Sequence, residues 1–197
     1  MVTDVENKTH GVRLSQREKL LMYLSGTFVF GTLTGTLTVK VLPPAYLGEL
    51  SQLVMKRISE QDFVYALTNL FSADLIWLFL MFVCGFCVLG RPLAAIALFF
   101  RGVAYGALSS VYYAVSSTFS VMPFSLDVML NAGLLIVACS ESFIFSEEIF
   151  APYESGSASK TAKTKALAYY VKYIMFTVIS LIISALSAFF SCVMMKA

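Results

Sequence analysis

Five apolar stretches, approximately Leu20 to Leu42, Asp74 to Gly90, Pro92 to Val115, Val121 to Phe145 and Leu167 to Met194, constrain this chain more than anything else in it. A bilayer-crossing helix needs roughly 20 apolar residues, and four of the five reach that length unaided. The second is short, and it is completed from Leu70 and Phe71 upstream or by local thinning of the bilayer. The runs are continuous instead of alternating, and hydrocarbon offers backbone groups no hydrogen-bond partner. They therefore read as helices and not as barrel strands. The expected fold is all-α, a polytopic membrane protein with about five transmembrane helices.

Composition agrees with lipid as the main solvent. Hydrophobic residues make up 58% of the 197, charged residues 13%, and the mean hydropathy is +0.80. The formal net charge is only +2, and the cations are scattered between apolar runs, which removes the electrostatic basis for binding nucleic acid. Lys8, Arg13, Arg17, Lys19, Arg91, Lys160, Lys163, Lys165 and Lys172 fall in segments of one side. Lys40, Lys56, Arg57 and Lys196 fall on the other, a ratio of nine to four. The positive-inside rule then puts the N-terminus in the cytoplasm and the C-terminus outside the membrane.

This divides the chain into a cytoplasmic tail over 1–19 and one membrane domain over 20–197. The first span is too long for a signal-peptide core and no A-x-A site follows it, so it reads as an uncleaved anchor. An outer segment over 43–72 has Leu47, Leu50, Val54 and Ile58 at helical spacing. That pattern fits an amphipathic helix on the membrane surface or a connecting helix packed on the bundle. A cytoplasmic loop over 146–166 has flexible-linker composition.

Against this apolar background the intramembrane polar residues stand out. Arg101 lies in the middle of the third run, and a charge at that depth costs a few kcal/mol unless it faces the bundle interior and finds a partner. In the fourth run Asp127, Asn131 and Glu141 fall within about an 80° arc, so that face should look inward. From helix rise, Arg101 lies about 14 Å from the inner edge and Glu141 about 6 Å. An Arg101 to Glu141 pair is the preferred expectation, with Asp127 second and snorkelling of Arg101 to the interface as the alternative. Gly31 and Gly35, and Gly102 and Gly106, each place two glycines on one helix face. Together with Thr27, Thr34 and Thr38 the first pair makes a small, polar seam suited to close helix packing, within one chain or between copies in a homo-oligomer.

No catalytic constellation is legible. His10 is the single histidine and lies in the tail, and no H-E-x-x-H, G-x-S-x-G or P-loop pattern occurs. Cys84, Cys87, Cys139 and Cys192 sit in apolar runs, where they read as small packing residues, since thiolate chemistry needs a polar setting. No metal, cofactor or enzymatic activity is expected.

The stretch Phe71 to Gly106 resembles the stage II sporulation protein M family, which carries a span ending near G-x-x-V-x-G-x-P-L, then a basic residue with glycine and a second glycine four on. The corresponding positions are Gly85, Val88, Gly90, Pro92, Leu93, Arg101, Gly102 and Gly106. Val103 departs from the pattern, and Arg91 is an added charge. The resemblance implies a non-catalytic membrane anchor of a peptidoglycan-remodelling complex in endospore engulfment, with sporulation proteins D and P as the hydrolase partners. A small transporter or permease subunit built on Arg101, Asp127, Asn131 and Glu141 is the rival expectation.

Overall fold

The computed structural model describes residues 2–43, 46–49, 51–52, 63–115, 118–150 and 160–194. Five long helices account for almost all of them: α1 (Val2–Val41), α2 (Phe63–Gly85), α3 (Gly90–Val115), α4 (Thr118–Phe150) and α5 (Lys160–Met194). No strand occurs among the described residues. Within each helix lies a segment long and apolar enough to cross a membrane: Gln16–Val41, Phe63–Gly85, Gly90–Ala114, Ser125–Ile149 and Thr164–Phe190. The chain is a multi-pass membrane protein of the all-α class.

Helix bounds differ from the hydropathy reading in informative places. The tail over 2–19 continues α1 as one helix of 40 residues, about 60 Å long. The second helix begins at Phe63, eleven residues before the expected start, which moves Asp74 from a helix end to the middle of a span. Helices α4 and α5 also extend into the expected 146–166 loop, reaching Phe150 and resuming at Lys160. Of the outer segment over 43–72, residues 63–72 belong to the span of α2 and residues 46–49 and 51–52 are helical, while Leu50, Val54, Lys56, Arg57 and Ile58 lie outside the described residues.

Helix α4 is the hub, and among the described residues it alone packs substantially on all four others. The most extensive single contact joins α1 to α3. Its cause is visible in the glycines. A Cβ built on Gly31 would collide with the Phe99 carbonyl, and one on Gly35 with the Val103 carbonyl. In return, Gly102 sits against the Phe28 carbonyl and Gly106 against the Thr32 carbonyl. The two glycine pairs therefore interlock within one chain, backbone on backbone, at a distance that only a hydrogen in place of a side chain permits.

The threonines of the expected seam act differently. The hydroxyls of Thr27, Thr34 and Thr38 donate to the carbonyls of Tyr23, Phe30 and Thr34, at 3.0, 2.8 and 2.8 Å. Each hydroxyl is satisfied by its own helix, as hydrocarbon requires, and the packing face is built instead from Leu24, Phe28, Gly31, Gly35 and Val39.

Helices α2 and α3 are joined by a tight turn over 86–89. Phe86 and Cys87 donate their N–H groups three residues back, to Val83 and Cys84, so the last turn of α2 tightens. The chain then returns past the end of α2, and a Cβ on Gly90 would run into the Cys84 carbonyl. Pro92 follows in the first turn of α3, where its missing N–H costs nothing. The G-x-x-V-x-G-x-P-L run is thus the sequence of a sharp helical hairpin.

Gly35→Ala and Gly106→Ala are expected to lower stability by about 1–3 kcal/mol, because overpacking a backbone contact forces the helices apart. Gly26→Ala is the control. Nothing lies within 4 Å of its Cβ position, so that change is expected to stabilise α1 by roughly 0.5–1 kcal/mol. Reversible unfolding in detergent micelles checks both.

Candidate functional site

Arg101 is held at the centre of the bundle by α2. Its Nη2 donates to Asp74 Oδ1 at 2.5 Å and to the Tyr105 hydroxyl at 2.8 Å. The Tyr105 hydroxyl lies 3.4 Å from the same Asp74 oxygen. The guanidinium also rests 4.3 Å from the Tyr105 ring centroid and 5.5 Å from that of Trp77, within cation–π range. Asp74 and Trp77 are one turn apart on α2, and Arg101 and Tyr105 one turn apart on α3, so the four side chains form a single pin between the two helices.

Position explains the pairing. Asp74 lies eleven residues before the end of α2 at Gly85, and Arg101 lies eleven after the start of α3 at Gly90. Antiparallel helices leaving one tight turn bring those residues to the same depth. Both are well shielded, with side chains 12% and 7% exposed for Arg101 and Asp74.

The expected partner, Glu141, is engaged elsewhere. It sits at the turn end of the bundle, where it accepts from Arg17 of α1 at 2.9 Å and from Lys172 of α5 at 2.6 Å. The pairing of Arg101 with Glu141 is therefore replaced by one with Asp74. The physical reason is the start of α2 at Phe63, which carries Asp74 into the middle of the span and to the depth of Arg101. Arg91–Glu147 at 3.4 Å and Lys165–Glu148 at 3.3 Å add two more links at the turn end. Glutamates of α4 thus tie down cations from α1, α3 and α5. Their partners are roughly 40–50% exposed, so each link is weak, about 0–1 kcal/mol.

Asp127 and Asn131 are both buried, and Asn131 Nδ2 donates to Asp127 Oδ1 at 3.1 Å. The Asn131 Oδ1 is buried and makes no hydrogen bond among the described residues. These two residues and Glu141 do share the inward arc of α4, but the pair lies far along the helix from Glu141 and forms no common cluster with it.

A second polar group, which sequence reasoning missed, lies where α2 ends. Ser142 Oγ is 2.8 Å from the Met81 carbonyl, 2.6 Å from the Tyr173 hydroxyl and 3.2 Å from that of Tyr169. Because α2 tightens at Phe86, the Phe82 carbonyl loses its usual helical donor, and the Tyr169 hydroxyl supplies one at 3.1 Å. Gly85 makes room for that hydroxyl, since a Cβ there would strike it. Rings of Phe82, Phe86, Phe145, Tyr169 and Tyr173 pack around the cluster, with Phe145 and Tyr169 stacked at 3.9 Å. The available signal was the pair of tyrosines four residues apart in the last apolar run.

Cys84 and Cys139 belong to the apolar core, and all four cysteines are free thiols. Among the described residues, no three His, Cys, Asp or Glu side chains converge as metal ligands would.

Removing Arg101 alone is expected to destabilise by about 3–5 kcal/mol, as it strands Asp74 in the bundle. The double change Arg101→Leu with Asp74→Leu is expected to recover most of that loss. Arg101→Leu with Glu141→Leu should instead show additive losses, because the two residues belong to separate networks. Folded yield in a double-mutant cycle distinguishes the outcomes; additivity of the Arg101 and Asp74 changes would remove the pin.

Comparison with family models, curated proteins and solved structures finds no match for this chain.

Proposed function

We propose that the chain is a non-catalytic integral membrane scaffold that positions partner proteins at the bilayer. The observation that carries this reading is where the Arg101 charge goes. Its ion pair, hydrogen bond and ring contacts all come from α2 and α3 of the same chain, which makes it a structural pin. A membrane protein whose central charge is committed to its own architecture works through its exposed surfaces.

The more specific form of the proposal follows from the resemblance to the stage II sporulation protein M family. In it the N-terminus is cytoplasmic, the turn end of the bundle faces the cytoplasm, and the outer segment meets cell-wall hydrolases of the sporulation D and P type during engulfment. The basic residues Arg17, Arg91, Lys165 and Lys172 at the turn end support that orientation. Glu49 is exposed on the opposite side and is available to a partner there.

A second reading, a small transporter or permease subunit, is favoured by one observation. Among the described residues the Asn131 Oδ1 is buried without a hydrogen bond beside Asp127, an acceptor suited to a passing solute or ion.

Affinity capture from sporulating cells tests the scaffold. A peptidoglycan hydrolase is expected to co-purify, and changing Glu49, Lys56 and Arg57 together is expected to reduce its recovery at unchanged protein level. Solute flux from liposomes holding the pure protein, with no hydrolase recovered in the capture, would favour the second reading. Cysteine labelling at Glu60 and Ser157 in intact cells reports orientation, with modification of Glu60→Cys alone as the expected result.

A further inference from the structure

Three contacts set the register of α4 against α5. Glu148 pairs with Lys165, Glu141 with Lys172, and Ser142 Oγ lies 2.6 Å from the Tyr173 hydroxyl. The two packed helices therefore run antiparallel, and each step back along α4 meets a step forward along α5. Eleven residues back from Ser142 is Asn131, and eleven forward from Tyr173 is Ser184. Eleven residues are about three helical turns, or about 16 Å, so both positions return to the face on which Ser142 and Tyr173 meet. Seven residues, about two turns, lead in the same way to Leu135 and Ser180. Asn131, Ser180 and Ser184 are each no more than 1% exposed.

Their polar atoms share a property that is rare among buried groups. Asn131 Oδ1, Ser180 Oγ and Ser184 Oγ make no hydrogen bond among the described residues. Hydroxyls in an apolar span ordinarily donate to a carbonyl one turn back, and Thr177 of α5 does so to Tyr173 at 2.9 Å. Ser180 and Ser184, on the inner face of the same helix, do not. Arg101 Nε is the one other buried atom in this condition among the described residues, and it is a donor where these three are oxygens. Asn131 also holds Asp127 through its Nδ2, which sets a carboxylate, an amide oxygen and the Ser184 hydroxyl at neighbouring levels of the bundle.

The charge balance points the same way. Asp74 and Asp127 are both buried, and with Arg101 they give the bundle interior two negative charges to one positive, the guanidinium being committed to Asp74. A net charge within a span is costly until a counter-charge joins it.

We infer that Asp127, Asn131 Oδ1 and Ser184 Oγ bind one Na+ between α4 and α5, with Ser180 one helical turn closer to the 86–89 turn. Hard cations take oxygen ligands, and the atoms offered here are all oxygens. One positive charge brings the interior to neutrality, which selects a monovalent ion over Ca2+ or Mg2+. The inference names an ion for the group on which the transporter reading rests; a resident ion serves a scaffold equally, so binding and flux are tested apart.

Melting of the pure protein in detergent, with choline chloride exchanged for NaCl at constant ionic strength, tests the site. The midpoint is expected to rise by about 3 °C for each tenfold increase in Na+ once the site begins to fill. Asp127→Asn keeps the shape and removes the charge, Ser184→Ala removes one ligand, and each is expected to lose that rise. Equilibrium dialysis of the wild-type protein against radioactive Na+ is expected to give one ion per chain, a reading that does not depend on either variant folding. Equal midpoints in Na+ and choline with no stoichiometric binding would overturn the proposal and leave the oxygens to water or to a proton on Asp127. A full Na+ response in both variants would overturn it as well. Bound Na+ without solute flux from liposomes would keep this site and remove the transporter reading, while flux without bound Na+ would remove the site alone.

Discussion

A guanidinium halfway through an apolar bundle can be kept only if another part of the chain arrives at the same depth with a negative charge, and here the hairpin of α2 and α3 delivers it. Arg101 and Asp74 are equidistant from the 86–89 turn, and the pair fixes both the register of the two helices and the rotation of each about its axis. Trp77 and Tyr105 then have one place to go, against the guanidinium. The core residues Leu78 and Met81 of α2 and Leu98 of α3 face inward as a consequence of that rotation.

The other helices are fastened by different means. Lipid supplies no hydrophobic drive between spans, so close packing and polar contacts must do it. α1 is held to α3 by glycine against carbonyl, α5 to α2 by the Tyr169 hydroxyl on the Phe82 carbonyl that the tightened end of α2 leaves free, and α5 to α4 by the Tyr173 hydroxyl on the Ala138 carbonyl. The turn-end ion pairs from Glu141, Glu147 and Glu148 are outer fastenings on an already packed bundle.

Much of this was legible in the sequence. The five spans followed from hydropathy and length, and the glycine pairs announced a close helix crossing without saying which helix each would meet. The partner of Arg101 was not legible from depth, because the start of α2 was masked by a polar stretch in which Tyr65, Thr68, Asn69 and Ser72 interrupt the apolar run. Had the helix been extended back to Phe63, symmetry about the Gly85 to Gly90 turn would have named Asp74. The tyrosine and serine cluster left less trace. Its geometry depends on where α2 unwinds, which is a tertiary outcome, and only the spacing of Tyr169 and Tyr173 hinted at it.

The Arg101 and Asp74 pair also bears on how the chain enters its membrane. Asp74 precedes Arg101 by 27 residues, so at about 5–20 residues per second its carboxylate waits about 1–5 s for its counter-charge to be synthesised. A charge at the centre of a lone helix costs about 2.5–3.5 kcal/mol to insert, a penalty that α2 carries alone during that interval. The short turn lets α3 follow directly, and entry of the two helices together as a hairpin offsets that penalty by pairing the two charges.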